Sequence, residues 1–513
     1  MGVATYEQFL ERMYKMKPNI YVGGEVIDRR DPRLSAGFYA MRQTFDCAHD
    51  ARYKEVCTAT SHLTGETINR FTHIHQTQDD LFKKQEMTRL LSHRVGGCIQ
   101  RCMGIDALNA LSVVTYEVDE ALGTEYYENF LKYLQWSQEN DIVANCAQTD
   151  VKGERLKRPH EQTDPDMYLR IVEDRADGIV VRGAKSCNSA SPYVDEIIAT
   201  PTRFMGAKDN AYAVSFAIPA DWPGVKLAAL PGLRHKRKHI DAPIAHIGDM
   251  ESLTIFDDVF IPNERIFLNG VRHPECTRFA GFLAIMFAHF HRHSYTGCKP
   301  ATSEVLASSA ALVAEYNGIE KTSHAQEKLC HIITVAELVY AAGVASAVRC
   351  VKMPSGTMIP DEILTNAGRK LAGEEIYNEA RILTDLAGGL IATLPLEEEF
   401  YSDEVGPLLN KYIKRDPSIP SENVHRCFRM IEDQLVSDFG ASQIVAGLHG
   451  GGSPQMEAVA MMGGYDLEEL KGIAKYLAGI EDDIPIYRRK TVTPRRILEK
   501  FKKTQQAAEE KKN

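Results

Sequence analysis

The chain has 513 residues, 44% hydrophobic and 25% charged, with a net charge of −10. That length supports a large core and two to four domains, and the acidic balance excludes the basic surface that nucleic-acid binders carry. No window approaches eighteen uncharged apolar residues, so no membrane span is expected.

Met1 to Lys17 reads as an amphipathic helix rather than a secretory signal. Thr5 stands as its cap, with Gln8 three residues on. Eleven cysteines, an odd number, suit reduced thiols in a cytoplasm better than a disulfide framework. Residues 79–96, 106–120 and 125–140 carry apolar residues at helical spacing, so 1–142 is expected to be a helical domain. At about 143 the period falls to two. Met167–Glu173 and Gly178–Arg182 flank Asp177-Gly178, a hairpin signal. Further strands are expected over 196–199, 211–218 and 251–261, punctuated by prolines 201, 219, 223, 231 and 243. The expectation is a β domain over 143–270. Helical spacing then returns over 278–296, 302–317, 322–350, 360–387 and 421–447, so 271–513 reads as a helical bundle. Gly450–Gly452 reads as a flexible loop, 395–420 as a surface excursion, and the Lys/Glu-rich tail 495–513 as a solvated or frayed helix.

Two stretches carry candidate chemistry. Cys98-Ile-Gln-Arg-Cys102 sets two thiols four apart, on one face if the segment is helical. His291-Arg-His-Ser-Tyr-Thr-Gly-Cys298-Lys299 adds a third thiol and imidazoles. Soft thiolates with one imidazole can hold an iron–sulfur cluster, but the spacing by itself reads more readily as buried core cysteines. Pro300 should bend or end the helix that carries Cys298. No GxGxxG follows a strand, so a Rossmann flavin site is not expected.

The order helices, β domain, helices, an α+β arrangement, resembles the acyl-CoA dehydrogenase architecture. A more specific resemblance runs over nearly the whole chain. It is carried by Gly65–Arg70, His75–Asp80, Gln100–Gly104, Gln138–Asp141, Arg170–Glu173, Gly178–Lys185, Phe256–Asn263, His291-Arg292, Ser294-Tyr295, Gly297-Cys-Lys299, Ala387–Leu390 and His449–Gln455. In these the chain resembles the dehydratase branch of the 4-hydroxyphenylacetate 3-hydroxylase family of flavoproteins.

The resemblance implies FAD and a [4Fe-4S] cluster ligated by Cys98, Cys102, His291 and Cys298. It implies radical dehydration of 4-hydroxybutyryl-CoA to crotonyl-CoA, together with vinylacetyl-CoA isomerisation, by a cytoplasmic homotetramer. FAD would supply the one-electron chemistry, and the cluster would act as a Lewis acid on the leaving hydroxyl. His291, Tyr295, Glu251, Lys299 and Gln100 would then be catalytic. Gln148, Thr149, Asp150, Lys185 and Ser189 would contact flavin, and Ala387, Gly388 and Gly389 would meet flavin bound by a neighbouring subunit. One position departs from the family: Ala446 stands where a second active-site glutamate is found, four residues before the glycine loop. A paralogue confined to isomerisation, one acting on another hydroxyacyl-CoA, or a flavin-dependent aromatic monooxygenase are the alternatives.

Overall fold

Thr5 caps the first helix, Tyr6–Lys15, as its sequence predicts: its hydroxyl accepts the Gln8 N–H at 3.3 Å, and Gln8 Oε1 accepts the Thr5 N–H at 2.9 Å. The computed structural model describes residues 2–232, 237–465 and 467–485; the charged tail at 495–513 lies outside them. The helices Ser35–His49, Gln78–Val95, Cys102–Leu122 and Tyr126–Asn140 follow.

The two short strands that open the chain belong to a sheet built mostly from residues two hundred positions later. The order of its six strands is Glu25–Ile27, Ile20–Val22, Val225–Gly232, Asp249–Pro262, Gly178–Lys185 and Arg170–Asp174. Asp177-Gly178 closes a hairpin as expected, with Arg170 opposite Arg182. A second sheet runs Ile266–Asn269, Val214–Pro219, Glu196–Ala199 and Ala144–Ala147. One apolar core joins the first helices, both sheets and the start of a long helix, and a second lies among the later helices.

The long helix, Thr277–Tyr316, is one continuous element of 40 residues, about 60 Å at 1.5 Å per residue. The helix therefore does not end at Pro300, against the expectation of a stop there. A proline inside a helix leaves the carbonyl four residues back without its donor. Here that carbonyl, of Thr296, accepts from Gln85 Nε2 at 3.0 Å, so a side chain replaces the missing bond. Gln85 Nε2 also donates to Tyr340 O at 2.9 Å, pinning a third helix, Ser323–Val348, to the same point. Gly297 and Gly343 permit this approach: a Cβ on Gly297 would lie 2.2 Å from Gln85 O, and one on Gly343 2.1 Å from Gln85 Nε2.

The Ser323–Val348 helix is long and apolar enough to cross a membrane by length and composition alone, although Glu337 interrupts its apolar run. It packs along the long helix and along Glu362–Ala387, and exposes Ile333, Leu338 and Val348. The helical stretch expected over 421–447 is two helices, Ser421–Leu435 and Asp438–His449. Ser437 Oγ ends one and starts the other, donating to Asp433 O at 2.6 Å and accepting the Gly440 N–H at 3.0 Å.

Candidate metal and flavin site

Gly96, at φ +65°, ends the Gln78–Val95 helix, and the next helix starts at Cys102. Cys98 therefore sits in a turn, not on a shared helix face as the spacing suggested. Gln100 is left-handed at φ +59°, a conformation that costs a non-glycine residue about 1 kcal/mol or more. The turn still brings the two thiols together: Cys98 and Cys102 are hydrogen-bonded to each other. It is braced from outside, because Gln443 Oε1 accepts the Cys98 N–H at 2.8 Å while its Nε2 donates to Asp249 at 2.7 Å. Gln100 Oε1 accepts from the Tyr193 hydroxyl, whose oxygen accepts the Met250 N–H at 3.1 Å.

His291, Ser294, Tyr295, Cys298 and Lys299 all project from the long helix, and all are buried. Asp106 Oδ2 lies 2.8 Å from His291 Nδ1 and also accepts from Ser294 Oγ at 3.0 Å. Lys84 Nζ donates to the other Asp106 oxygen and to Phe290 O at 2.8 Å. Burial pushes the Asp106 carboxyl up, but Lys84 and the bond from His291 outweigh it and hold the carboxyl below its ordinary value. An ionised carboxylate only accepts. His291 must therefore donate through Nδ1, which leaves a lone pair on Nε2. This is the outer carboxylate that fixes ring orientation in histidine-ligated metal sites.

Cys102, Asp106 and His291 offer ligand atoms within 4.8 Å of one another. Cys98 and Cys298 lie close enough for their charges to act on Cys102 and on Tyr295. The hydrogen bond from Cys102 draws the Cys98 thiol down to about 7, while burial pushes Cys298 up to about 12. Lys299 favours the thiolate form of both. Three soft sulfurs, Cys98 half-buried and the other two buried, and one imidazole nitrogen, flanked by an ammonium, fit an iron–sulfur cluster. The Tyr295 ring stands edge-on to His291 with centroids 4.9 Å apart, and Lys299 Nζ lies 5.2 Å from its centre.

On the sheet side, Glu251 lies within the strand Asp249–Pro262 and accepts from Ser189 Oγ at 2.5 Å. Burial pushes its carboxyl up to about 7 against the pull of that bond. The segments 148–150 and 185–189 run together: the Ser186 N–H donates to Thr149 O at 2.8 Å and Ser186 Oγ to Asp150 O at 3.1 Å. Lys185 Nζ is saturated by Asp150 Oδ1 at 2.6 Å and by the Gln148 and Thr200 carbonyls, each at 2.9 Å. It fixes the shape of this ledge and has no free proton for a ligand. Gln148 Nε2 donates to Ala284 O at 3.1 Å, tying the ledge to the long helix two turns before His291. Ala387, Gly388 and Gly389 are elsewhere, at the far end of Glu362–Ala387, roughly 28 Å along that helix from Arg369 beside Tyr295. Gly388 and Gly389, but not the buried Ala387, border a cleft of about 520 Å³ with Thr384, Ile391 and Leu435, and a Cβ on either glycine would meet nothing within 4 Å.

Asp106, Lys84, Tyr193, Gln443 and Arg369 escaped the sequence reading. Only Asp106 left a signal: a carboxylate four residues after Cys102, on a face otherwise lined with apolar residues.

These elements define a mixed helix-and-sheet enzyme with a ledge of sheet facing a thiol–imidazole cluster. Models of the 4-hydroxyphenylacetate 3-hydroxylase N-terminal and C-terminal regions match residues 5–268 and 280–479. The chain belongs to that family. Within it, the chain is 37% identical, over 93% of its length and 99% of the relative's, to the 4-hydroxybutyryl-CoA dehydratase/vinylacetyl-CoA-Δ-isomerase of Clostridium aminobutyricum. An oxygen-tolerant archaeal 4-hydroxybutyryl-CoA dehydratase from N. maritimus superposes with a TM-score of 0.88 at 34% identity, covering 96% of this chain and 97% of that one. The oxygenase component of 4-hydroxyphenylacetate 3-monooxygenase complexed with FAD superposes at 0.83 with 25% identity, covering 94% and 99%.

Proposed function

We propose that the protein dehydrates 4-hydroxybutyryl-CoA to crotonyl-CoA and isomerises vinylacetyl-CoA, with FAD and a [4Fe-4S] cluster as its resident groups. The observation that carries this reading is that Cys98 and Cys298 lie within electrostatic reach of the buried group formed by Cys102 and the Asp106-oriented His291. It occurs in a chain so similar to a dehydratase/isomerase.

In this substrate the hydroxyl leaves C4 while protons leave C2, beside the thioester, and C3, which is not activated. FAD when bound would supply one-electron chemistry, and the cluster a Lewis-acidic iron for the departing oxygen. Cys98, Cys102, Cys298 and His291 Nε2 would hold the cluster. His291, oriented through Nδ1 by Asp106, would also be the base for the C2 proton once its Nε2 is released from the cluster. Lys299 brings a buried positive charge to the same space, suited to a developing oxyanion. Tyr295 packs against His291, and Gln100 and Glu251 line the side toward the flavin ledge formed by Gln148, Thr149, Asp150, Lys185 and Ser189. The cleft at Gly388 and Gly389 would take flavin held by a second subunit. The exposed apolar face of Ser323–Val348 supports subunit contacts, and with them a homotetramer. The same reading keeps the domain limits 1–142, 143–270 and 271–513, an acyl-CoA dehydrogenase-like arrangement and a cytoplasmic setting for its free thiols.

Ala446 favours a second reading on the same site, in which isomerisation survives and dehydration is weak, because a methyl group cannot share a proton. Anaerobically purified protein supplied with each thioester separates the two. Crotonyl-CoA from both supports the full activity, crotonyl-CoA from vinylacetyl-CoA alone selects the second reading, and none from either rejects both.

A further inference from the structure

The Gly450–Gly452 segment is not a loose loop. A Cβ on Gly450 would fall 1.9 Å from the Tyr295 hydroxyl oxygen, and one on Gly451 2.9 Å from the Tyr295 ring and 3.5 Å from His291 Cδ2. The glycine backbone is thus pressed onto the two side chains proposed to carry the proton chemistry. Two buried arginines hold it there. Arg369 donates to Gly450 O at 2.6 and 2.9 Å and to Leu448 O at 3.1 Å, and its guanidinium lies 4.7 Å over the Tyr295 ring. Arg292 donates from Nε to Gly451 O at 2.9 Å and from Nη1 to Asn366 at 2.6 Å.

Two buried guanidiniums side by side repel each other and pay a large desolvation penalty unless an anion lies between them. Glu457 is the carboxyl group in that place: burial pushes it up, and Arg369 and Arg292 pull it back toward the charged form. Its side chain is 0% exposed, and Oε1 lies 3.9 Å from Arg292 Nε and 3.8 Å from Arg369 Nε. Neither of its oxygens has a hydrogen-bond partner among the described residues. It comes from the helix Pro454–Gly464, immediately after the glycines.

We propose that Glu457 is a positioning residue: by neutralising Arg292 and Arg369 together, it clamps the Gly450–Gly452 backbone against Tyr295 and His291 and so sets their geometry for the reaction. With Ala446, the last turns of the preceding helix offer no carboxylate beside the glycines, and the charge facing this loop comes from behind it. The kinetic consequence rests on the function proposed above; the clamping of the loop does not.

The test compares the cofactor-loaded enzyme with its Glu457→Gln and Glu457→Asp variants. Amide hydrogen exchange over 447–456 reads the clamp. Vinylacetyl-CoA isomerisation, with iron and flavin content, reads the chemistry. Glu457→Gln is expected to raise exchange in this segment at least about tenfold and to lower kcat about 10- to 100-fold with KM little changed. Iron and flavin should stay bound, and Glu457→Asp should recover part of both losses. Should Glu457→Gln fail to fold, Glu457→Asp alone carries the comparison, with faster exchange and lower kcat than the parent. Exchange at the parental rate overturns the proposal, as does faster exchange with unchanged kcat. A parent enzyme inert toward both thioesters would remove the reaction, while the exchange comparison would still decide the clamp.

Discussion

Asp106 shows how one residue sets the chemistry of others. It is fully buried and joins Lys84, Ser294 and His291. Its charge decides which nitrogen of His291 carries the proton. Asp106→Asn keeps the shape but removes the charge, leaving the imidazole free to turn and Lys84 without its partner. Loss of such a partner typically costs about 10- to 100-fold in metal affinity or activity. The expected outcome is iron lost to a chelator at least tenfold more readily than from the parent, with turnover falling in step; unchanged iron retention would contradict the role. Glu379 is another buried carboxyl. One of its oxygens is unpartnered, and burial pushes it up to about 7. Its effect is felt in the stability of the whole chain.

Among elements, the long helix matters most, because it carries His291, Tyr295 and Cys298, and Pro300 removes the backbone donor to Thr296 O between the last two. The bond from Gln85 to Thr296 O replaces it, and that bond spans 211 positions, so no local pattern could reveal it. The close approach also explains Gly297. Gly297→Ala would drive a methyl into the backbone at Gln85, and overpacking of this kind costs about 1–3 kcal/mol. The expected result is a lower denaturation midpoint together with loss of iron, since Cys298 is the next residue; full stability with full iron would count against it. The Cys98 turn is the opposite case. Helical spacing suggested one shared face, yet Gly96 in the left-handed region ends the helix first. The cysteines still meet, for a reason the spacing did not contain. Strands with alternating apolar residues, such as 178–185 and 249–262, were legible locally. Val225–Gly232 was not, because Pro231 reads as punctuation, and its partner Ile20–Val22 comes from the other end of the sequence.

At the scale of the molecule, matched motifs carried the site further than periodicity did. They supplied Cys98, Cys102, His291 and Cys298 as a set, while the network of Asp106, Lys84, Gln443 and Glu457 behind them needed coordinates. Burial of several carboxyls also gives the whole chain a pH dependence. Glu379 and Glu362 are pushed up to about 7 and Glu196 to about 8, each chiefly by desolvation. A raised folded value means that the native state keeps protons the unfolded chain has released. Their contribution is therefore fully present below pH about 4.5 and is lost as pH rises through 7 to 8. Glu379→Gln should thus be more stable than the parent at pH 8, by on the order of 2–3 kcal/mol of unfolding free energy, with the difference shrinking toward pH 5. A difference independent of pH would contradict that assignment. The proposed chemistry depends on inorganic iron at the thiol–imidazole site. Iron and acid-labile sulfide, measured per subunit on anaerobically purified protein beside Cys98→Ser and Cys298→Ser variants, test it most directly. About four of each in the parent, falling with turnover in both variants, is the predicted result. A metal-free parent that turns over its thioester fully in air would contradict it.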